Sequence, residues 1–533
     1  MSTTPDAETP LYSSHIFMFP FRFEYLDNNK KIEAFESLNL QTLLGDSWEE
    51  KHQVSRDKYH EYNQKNYFNN YAREILWGEE NSTDRLSYTF TKKLKSNQFT
   101  FSIKNRKEYE LVLSRVTLDF FFTGIAILSI EVENINDKEY EDILNINEFG
   151  RRVYPPFLDK KVGVEKPKEL FLADKITIDG FSETFENYPK KYMTGHHIMG
   201  VLGENFKEYK DANSFFIEPL LDDRMFLLSW YGEDELVASI AKNEESMFGS
   251  KEESDQLSSD KWYKYLFVDT TYPSIQNDLM KKKELENATY KRWQKYHTLY
   301  GISYYSFVAL TKNDEFGKEE IAKHMGGLYK SIMLIVFATR ASIKMFTDEI
   351  VTNSNLSDGS FSLLYEKYLL FNSKLNLKEI THQQQGIELY NLARKQMRIE
   401  EEQESLEKKF TTLFALSNFK SDEVNSKSMD KLTLLGAIFL PPSFMVAILS
   451  IGIFDYNNTD NIVGWVFGSI GATVLMGIFS IKKMLQTKAM AWLYGVLFSI
   501  IVLLSYSNIK AHHEERAMKV KVENKILRVK VQE

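Results

Sequence analysis

The sequence predicts an α/β cytosolic domain, then a long helical stalk, then a C-terminal all-α transmembrane bundle. Three observations predict it. Over residues 1–322, runs rich in β-branched and aromatic residues are interspersed with helical patterns. From Lys323 the pattern turns helical and stays so. Near the end come three long runs without a single charge, 432–454, 462–481 and 489–507.

Composition narrows the functional classes. The 533 residues carry a net charge of −9, which argues against direct nucleic-acid binding. There is no cysteine, so disulfides, thiolate nucleophiles and thiolate metal sites are excluded. The start, MSTTPDAETP, lacks the basic and apolar regions of a signal peptide. G-x-x-x-x-G-K-[ST], G-x-G-x-x-G and H-E-x-x-H are all absent, so no catalytic residue is assigned and an enzyme is disfavoured. The adjacent pairs His196-His197 and His512-His513 point to different faces of any regular element, and no metal site is assigned.

Within 1–322, HIFMFPFRFEY reads as an opening strand. ELVLSRVTLDFFFTG followed by IAILSIEVEN reads as a hairpin around a Thr-Gly turn. Asp137 to Leu144 and Glu233 to Ala241 read as short helices. RMFLLSWYG, WYKYLFVDT and GISYYSFVALT read as strands, and the polar stretch 243–260 as a flexible excursion. In 323–431, GGLYKSIMLIVFATRASIKMFTDEIV and LLYEKYLLFNSKL read as amphipathic helices. A proline-free segment from Gly386 then continues to the first apolar run. Leu392, Ile399, Leu406 and Leu413 recur every seven residues, with Gln396, Gln403 and Phe410 between them, a heptad seam suited to an oligomeric stalk. A helix packed on its own domain is the other reading. The acidic run Glu400, Glu401, Glu402, Glu404 and Glu407 reads as a solvated face, with a cation site between protomers as the alternative.

The region 432–509 is read as three spans and 510–533 as a charged tail. The first two runs give roughly 35 Å and 30 Å of helix, enough for a hydrocarbon core of about 30 Å. Lys427 and Lys431 before the first run, and Lys482, Lys483 and Lys488 after the second, place the N-terminal part in the cytosol. A third crossing would put the basic tail outside against that bias; a re-entrant or interfacial course is the alternative. In the first run Met429, Thr433, Gly436, Leu440, Ser443, Ala447 and Ser450 share one face, mostly small or hydroxylated, as helix contacts and pores require. Pro441 and Pro442 leave two carbonyls that lipid cannot satisfy. Those carbonyls either face a wet axis or are met by neighbouring hydroxyls.

IFLPPSF (438–444), the short loop 455–461 and Ile481-Lys482-Lys483 resemble the CorA-type metal-ion transporters. The resemblance implies a homopentamer in the lipid bilayer, with the first span lining the pore and apolar gating rings at Met429, Leu432 and Leu440. The family's Gly-Met-Asn signature falls on Ser450-Ile451-Gly452, so Mg²⁺ selectivity is not carried over. Asp455 would bias the mouth toward cations. FTGIAILSIEVEN, FGRRVYPPF (149–157) and THQQQGIELY (381–390) are similar to a branch of CorA-like proteins found beside type III CRISPR systems. That likeness implies a bacterial inner-membrane effector in antiviral defence, opened by S-adenosylmethionine linked to AMP. A constitutive divalent-cation transporter regulated by its own ion is the alternative.

For such a nucleotide, Arg151 and Arg152 would hold a phosphate and Tyr154 would stack on a base. A surface turn with salt bridges is the competing reading of that segment. Trp230, Tyr231, Arg292 and Trp293 are further candidates for an adenine or sulfonium pocket, or equally for the core. If Leu440 closes the pore, Leu440→Ser wets the constriction. Flux from reconstituted vesicles then becomes independent of ligand.

Overall fold

In the computed structural model the first strand, Ser13–Asp27, is the spine of one sheet, with fifteen strands among the described residues. Those residues are 10–416 apart from 29, 32–34, 52–58, 79–84, 104–106, 154–172, 186–193, 272 and 353–359, and beyond them 429, 510 and 514–525. The strand is buried at nearly every position because layers cover both of its faces. One edge pairs antiparallel with Ile125–Asn134, from Ser13 to Arg22. The other edge pairs with Phe226–Gly232 as far as Met18 and with Ser214–Pro219 from Phe21 onward. Pro20, which has no N–H to give a ladder, falls where the partner changes.

The main path across the sheet runs Thr289–Tyr290, Leu299–Ile302, Ser306–Thr311, Phe226–Gly232, Ser13–Asp27, Ile125–Asn134, Glu108–Phe121, Gln98–Ser102, Lys175–Ile178, Phe181–Thr184. The hairpin joining Glu108–Phe121 to Ile125–Asn134 turns at Gly124, whose φ of 89° suits glycine. The short helix at 234–240 has the Glu233 carboxylate as its cap, accepting from the N–H of Glu235 and Leu236. The helix expected at Asp137 to Leu144 begins at Tyr140, three residues later than the sequence suggests, and runs to Phe149.

Two expectations are corrected here. WYKYLFVDT is not a strand: its first residues end the helix Glu253–Phe267, and Ser259, Trp262, Tyr263, Tyr265 and Leu266 are buried on its inner side. Aromatic enrichment suggested β-structure, but the i, i+3, i+4 spacing of Trp262, Tyr265 and Leu266 is helical. The polar stretch 243–260 is ordered as well, by helix caps and side-chain hydrogen bonds. Asn243 caps the helix Glu244–Phe248, and Asp255 accepts from Ser246 and Ser250 before the next helix continues.

The helical run Gly317–Thr352 is 36 residues long and apolar enough to cross a membrane, the one such helix among the described residues. It is a core helix instead, with 72% of its most apolar window buried inside the protein. It was expected to be amphipathic, yet from Lys330 through Ile343 it is buried on every side. Phe337 packs on Phe226 with ring centroids 4.4 Å apart, and Ser342 donates to Thr123. These contacts tie it to the sheet, and the residues up to Thr411 belong to one compact N-terminal unit.

The stalk is also corrected. The helix Gln384–Gln396 stops at Met397, Arg398 takes a left-handed φ of 54°, and a new helix occupies 399–416. The heptad residues Ile399, Gln403, Leu406 and Phe410 are buried within their own unit. Phe410 stacks on Tyr368 at 4.2 Å and also meets Phe346; Gln403 donates to Asn372. The acidic residues Glu400, Glu401, Glu404 and Glu407 are exposed, as a solvated face requires. The three apolar runs, with Leu432, Leu440, Ser443, Ser450, Gly452 and Asp455, lie outside the described residues. Met429 is described only as helical and exposed. Since Phe410 fills a cluster in its own chain, Phe410→Ala should lower unfolding stability by about 3–5 kcal/mol. Thermal or denaturant unfolding of the full chain in detergent, with sizing as control, measures it.

Candidate functional site

The strands Glu108–Phe121 and Ile125–Asn134 carry a polar line through an apolar sheet. Arg115, Thr117 and Asp119 alternate on one, and Glu131 and Glu133 on the other, all projecting to the same side. A bulge between Leu113 and Arg115 adds Ser114 and brings Arg115 opposite Glu131. Above this face lies the start of the long helical run. Gly317–Ala322 and Met325–Tyr329 are π-helical turns, a geometry found mostly at functional sites. Between floor and roof is a cavity of about 510 Å³, within the range of small-molecule sites.

Its centre is an ion cluster. Arg115 grips Glu131 bidentately at 2.9 and 2.7 Å, while Lys330 Nζ donates to Glu131 at 2.7 Å and to Thr117 at 2.8 Å. Glu131 and Lys330 are buried. Burial pushes the Glu131 pKa up, but Lys330 and Arg115 outweigh it and hold the carboxyl below its ordinary value. Asp119 shifts the other way, raised by burial against the pull of Lys330. One Asp119 oxygen accepts from Thr89 at 2.7 Å; the other, equally buried, has no hydrogen-bond partner. Glu133 is raised by burial and then by its neighbour Glu131. Lys51, Lys318, Lys323 and Trp77 line the same space, so it offers cations, acceptors and one flat ring to a single guest.

The residues singled out from sequence lie elsewhere, in three separate places. Arg151 and Arg152 were expected to face a phosphate, but both are sealed from solvent, 1% and 2% exposed. Arg151 meets Glu148 at 2.6 Å; Arg152 meets Glu148 at 3.3 Å and Asp223 at 2.5 Å. Burial and a hydrogen bond to the Asp222 carboxylate lift the Asp223 carboxyl to about 6. The backbone is tied in too, since the carbonyl of Arg151 accepts from Met225 N–H and that of Arg152 from His197. The pair thus closes a loop through buried salt bridges, the competing reading of FGRRVYPPF. Tyr154 lies outside the described residues.

Trp230 and Tyr231 are core residues. Trp230 donates to Thr311 at 3.0 Å and Tyr231 to the carbonyl of Lys138 at 2.9 Å. Arg292 and Trp293 sit apart from them, on the 384–388 segment. Arg292 holds Glu388 at 2.9 and 2.8 Å, and Trp293 donates to Gln385 at 3.1 Å. The four do not form one pocket. Among the described residues, no group of three or more His, Asp or Glu is placed to hold a metal.

Arg115, Asp119, Glu131 and Lys330 were missed from sequence, although a signal existed. In RVTLD and SIEVE every second residue is polar inside strands whose other positions are apolar, and KSIMLIVF opens an apolar helix with a lysine. Compared with family models, curated proteins and solved structures, the chain matches none.

Removing Arg152 leaves Glu148 short of one partner and Asp223 facing a buried gap. Arg152→Ala should therefore destabilise the N-terminal unit by about 3–5 kcal/mol. A lowered unfolding midpoint checks this; a variant as stable as the wild type would reopen the phosphate reading of this arginine.

Proposed function

We propose that the chain is an oligomeric CorA-like membrane channel opened by a nucleotide bound to its N-terminal unit. The uncharged runs at 432–507, the IFLPPSF resemblance and the lysine distribution support a pore with that unit in the cytosol of a bacterial cell. The observation that carries the ligand-gated reading is the cavity roofed by π-helical turns over the Glu131–Lys330–Arg115 cluster.

Its chemistry suits a guest with charges of both signs. S-adenosylmethionine linked to AMP, the messenger the resemblance implies, offers a phosphate to Lys51, Lys318 and Lys323. Its sulfonium and amine suit Asp119 and Glu133, and its bases suit Trp77. A phosphate competing for Lys330 and Arg115 would loosen their hold on Glu131 and let the roof helix shift. That helix packs on the helices that follow it, and the chain continues from there to the apolar runs. In this account the protein binds its nucleotide and does not transform it.

Gly326 supplies a test, because a β-carbon placed there would lie 3.9 Å from the Glu131 carboxylate and otherwise meet open space. Gly326→Leu fills the cavity without removing any charge. By calorimetry on the solubilised full chain, with sizing as control, it should weaken binding of the messenger about tenfold or more. Affinity equal to wild type would move the sensor away from this cavity.

A further inference from the structure

Ten residues beyond Lys330 on the same helix, Arg340 places a guanidinium 2% exposed to solvent. Its surroundings leave it without a counter-ion. Nearby, Arg151, Arg152 and Arg224 share Glu148, Asp222 and Asp223, three cations for three carboxylates. Among the described residues no carboxylate lies within salt-bridge distance of Arg340; Glu402 acts on it only through space. Its Nη1 reaches the carbonyl of Tyr304 at a limiting 3.5 Å, and its Nε is buried with no partner. The guanidinium lies 3.6 Å from the centre of the Tyr304 ring, a face that attracts a cation but does not neutralise it. Burial pushes the pKa of Arg340 down, as expected for a cation taken from water without an anion.

Beside it is a hollow of about 20 Å³, room for one oxygen atom. Arg340, Arg224, Tyr304 and Tyr305 line it, and the two tyrosines, 39% and 36% exposed, lead outward. Arg224 sits 5.1 Å from the Tyr305 ring, half-buried, with its own bonds to Asp222 and Asp223 at 3.3 and 3.4 Å. Asp222 also lines the hollow, but its carboxylate is engaged by Arg224 and by the N–H of Asp223.

We propose that this hollow is a phosphate site, distinct from the cavity over Glu131, in which one oxygen of a small phosphate ester seats on Arg340 while the rest of the ester extends outward past the half-exposed Tyr304–Tyr305 pair. The oxyanion supplies the charge Arg340 lacks and an acceptor for its Nε–H. Arg224 is placed as the second cation. Tyr304 and Tyr305, packed edge to face at 5.2 Å and partly exposed at the opening, offer aromatic surface to whatever the phosphate carries, so an aromatic base is favoured over a sugar or lipid chain. The site stands on its own geometry and does not depend on the channel reading.

The test is calorimetry of the full chain in detergent and phosphate-free buffer, titrated first with inorganic phosphate and then with AMP. Saturable phosphate binding at millimolar concentration is expected, weakened about tenfold or more in Arg340→Gln, as the loss of a charge-assisted contact implies. It should weaken less in Arg224→Gln and not change in Gly326→Leu. AMP should bind more tightly than phosphate, and Tyr304→Ala should abolish that difference. If Arg340→Gln fails to fold, Arg224→Gln decides. No saturable binding by the wild type, or equal affinity in every arginine variant that folds, would overturn the site. So would an equal loss in Gly326→Leu, which would place the phosphate in the larger cavity.

Discussion

Glu131 carries a negative charge at the middle of a sheet, and the N-terminal unit is arranged around making that charge tolerable. A buried carboxylate without a partner costs several kcal/mol, so breaking the pair is far more damaging than never having built it. Arg115 reaches it only because a bulge shifts the register of its strand, and Lys330 reaches it only if the long helix sits at one height. Most of the helix's buried side chains are apolar, and apolar packing alone is forgiving about sliding and rotation. The ion cluster supplies the missing register. It also accounts for the space above it, since the π-helical turn before Lys330 presents a glycine, Gly326, toward the carboxylate instead of a side chain.

The same helix carries Arg340 roughly 15 Å further along its axis, at 1.5 Å per residue. Two charged groups with different degrees of compensation are thus mounted on one rigid element, Lys330 fully paired and Arg340 short of an anion. A ligand that loosens the first pairing and one that completes the second would act on the same body. The Arg151–Arg152 knot serves another purpose. It fastens the end of the helix Tyr140–Phe149 to the 222–225 segment, so a substitution there is read through stability before it is read through binding.

Much of the fold was legible because its signals are local. The hairpin around Gly124, the strand Ser13–Asp27 and the helix at 234–240 follow from alternation, turn chemistry and a capping carboxylate. Reading failed where two patterns competed. Trp262, Tyr263 and Tyr265 are β-formers by type and helical by spacing, and spacing won because one face of that helix meets the core. The heptad from Leu392 was real as a pattern, but it cannot say whether the partner is another chain; Phe410 finds Tyr368 and Phe346 in its own. The site was the least legible part. FGRRVYPPF looked like a phosphate loop because adjacent arginines are conspicuous, whereas Glu148 and Asp223, which consume them, lie 3 and 71 residues away from Arg151 and Arg152 respectively. Likewise Glu131 and Lys330 are 199 residues apart and become a pair only through the fold.

The central claim is that a nucleotide bound by the N-terminal unit opens a pore formed by the C-terminal runs. Its most direct test is ion release from sealed vesicles holding the purified full chain, with S-adenosylmethionine linked to AMP supplied on the side that the N-terminal unit faces. The account predicts little release without the nucleotide and rapid, saturable release with it, absent when the nucleotide is confined to the opposite side. Release that is the same with and without the nucleotide, or none under either condition from protein shown to be inserted and assembled, would contradict it.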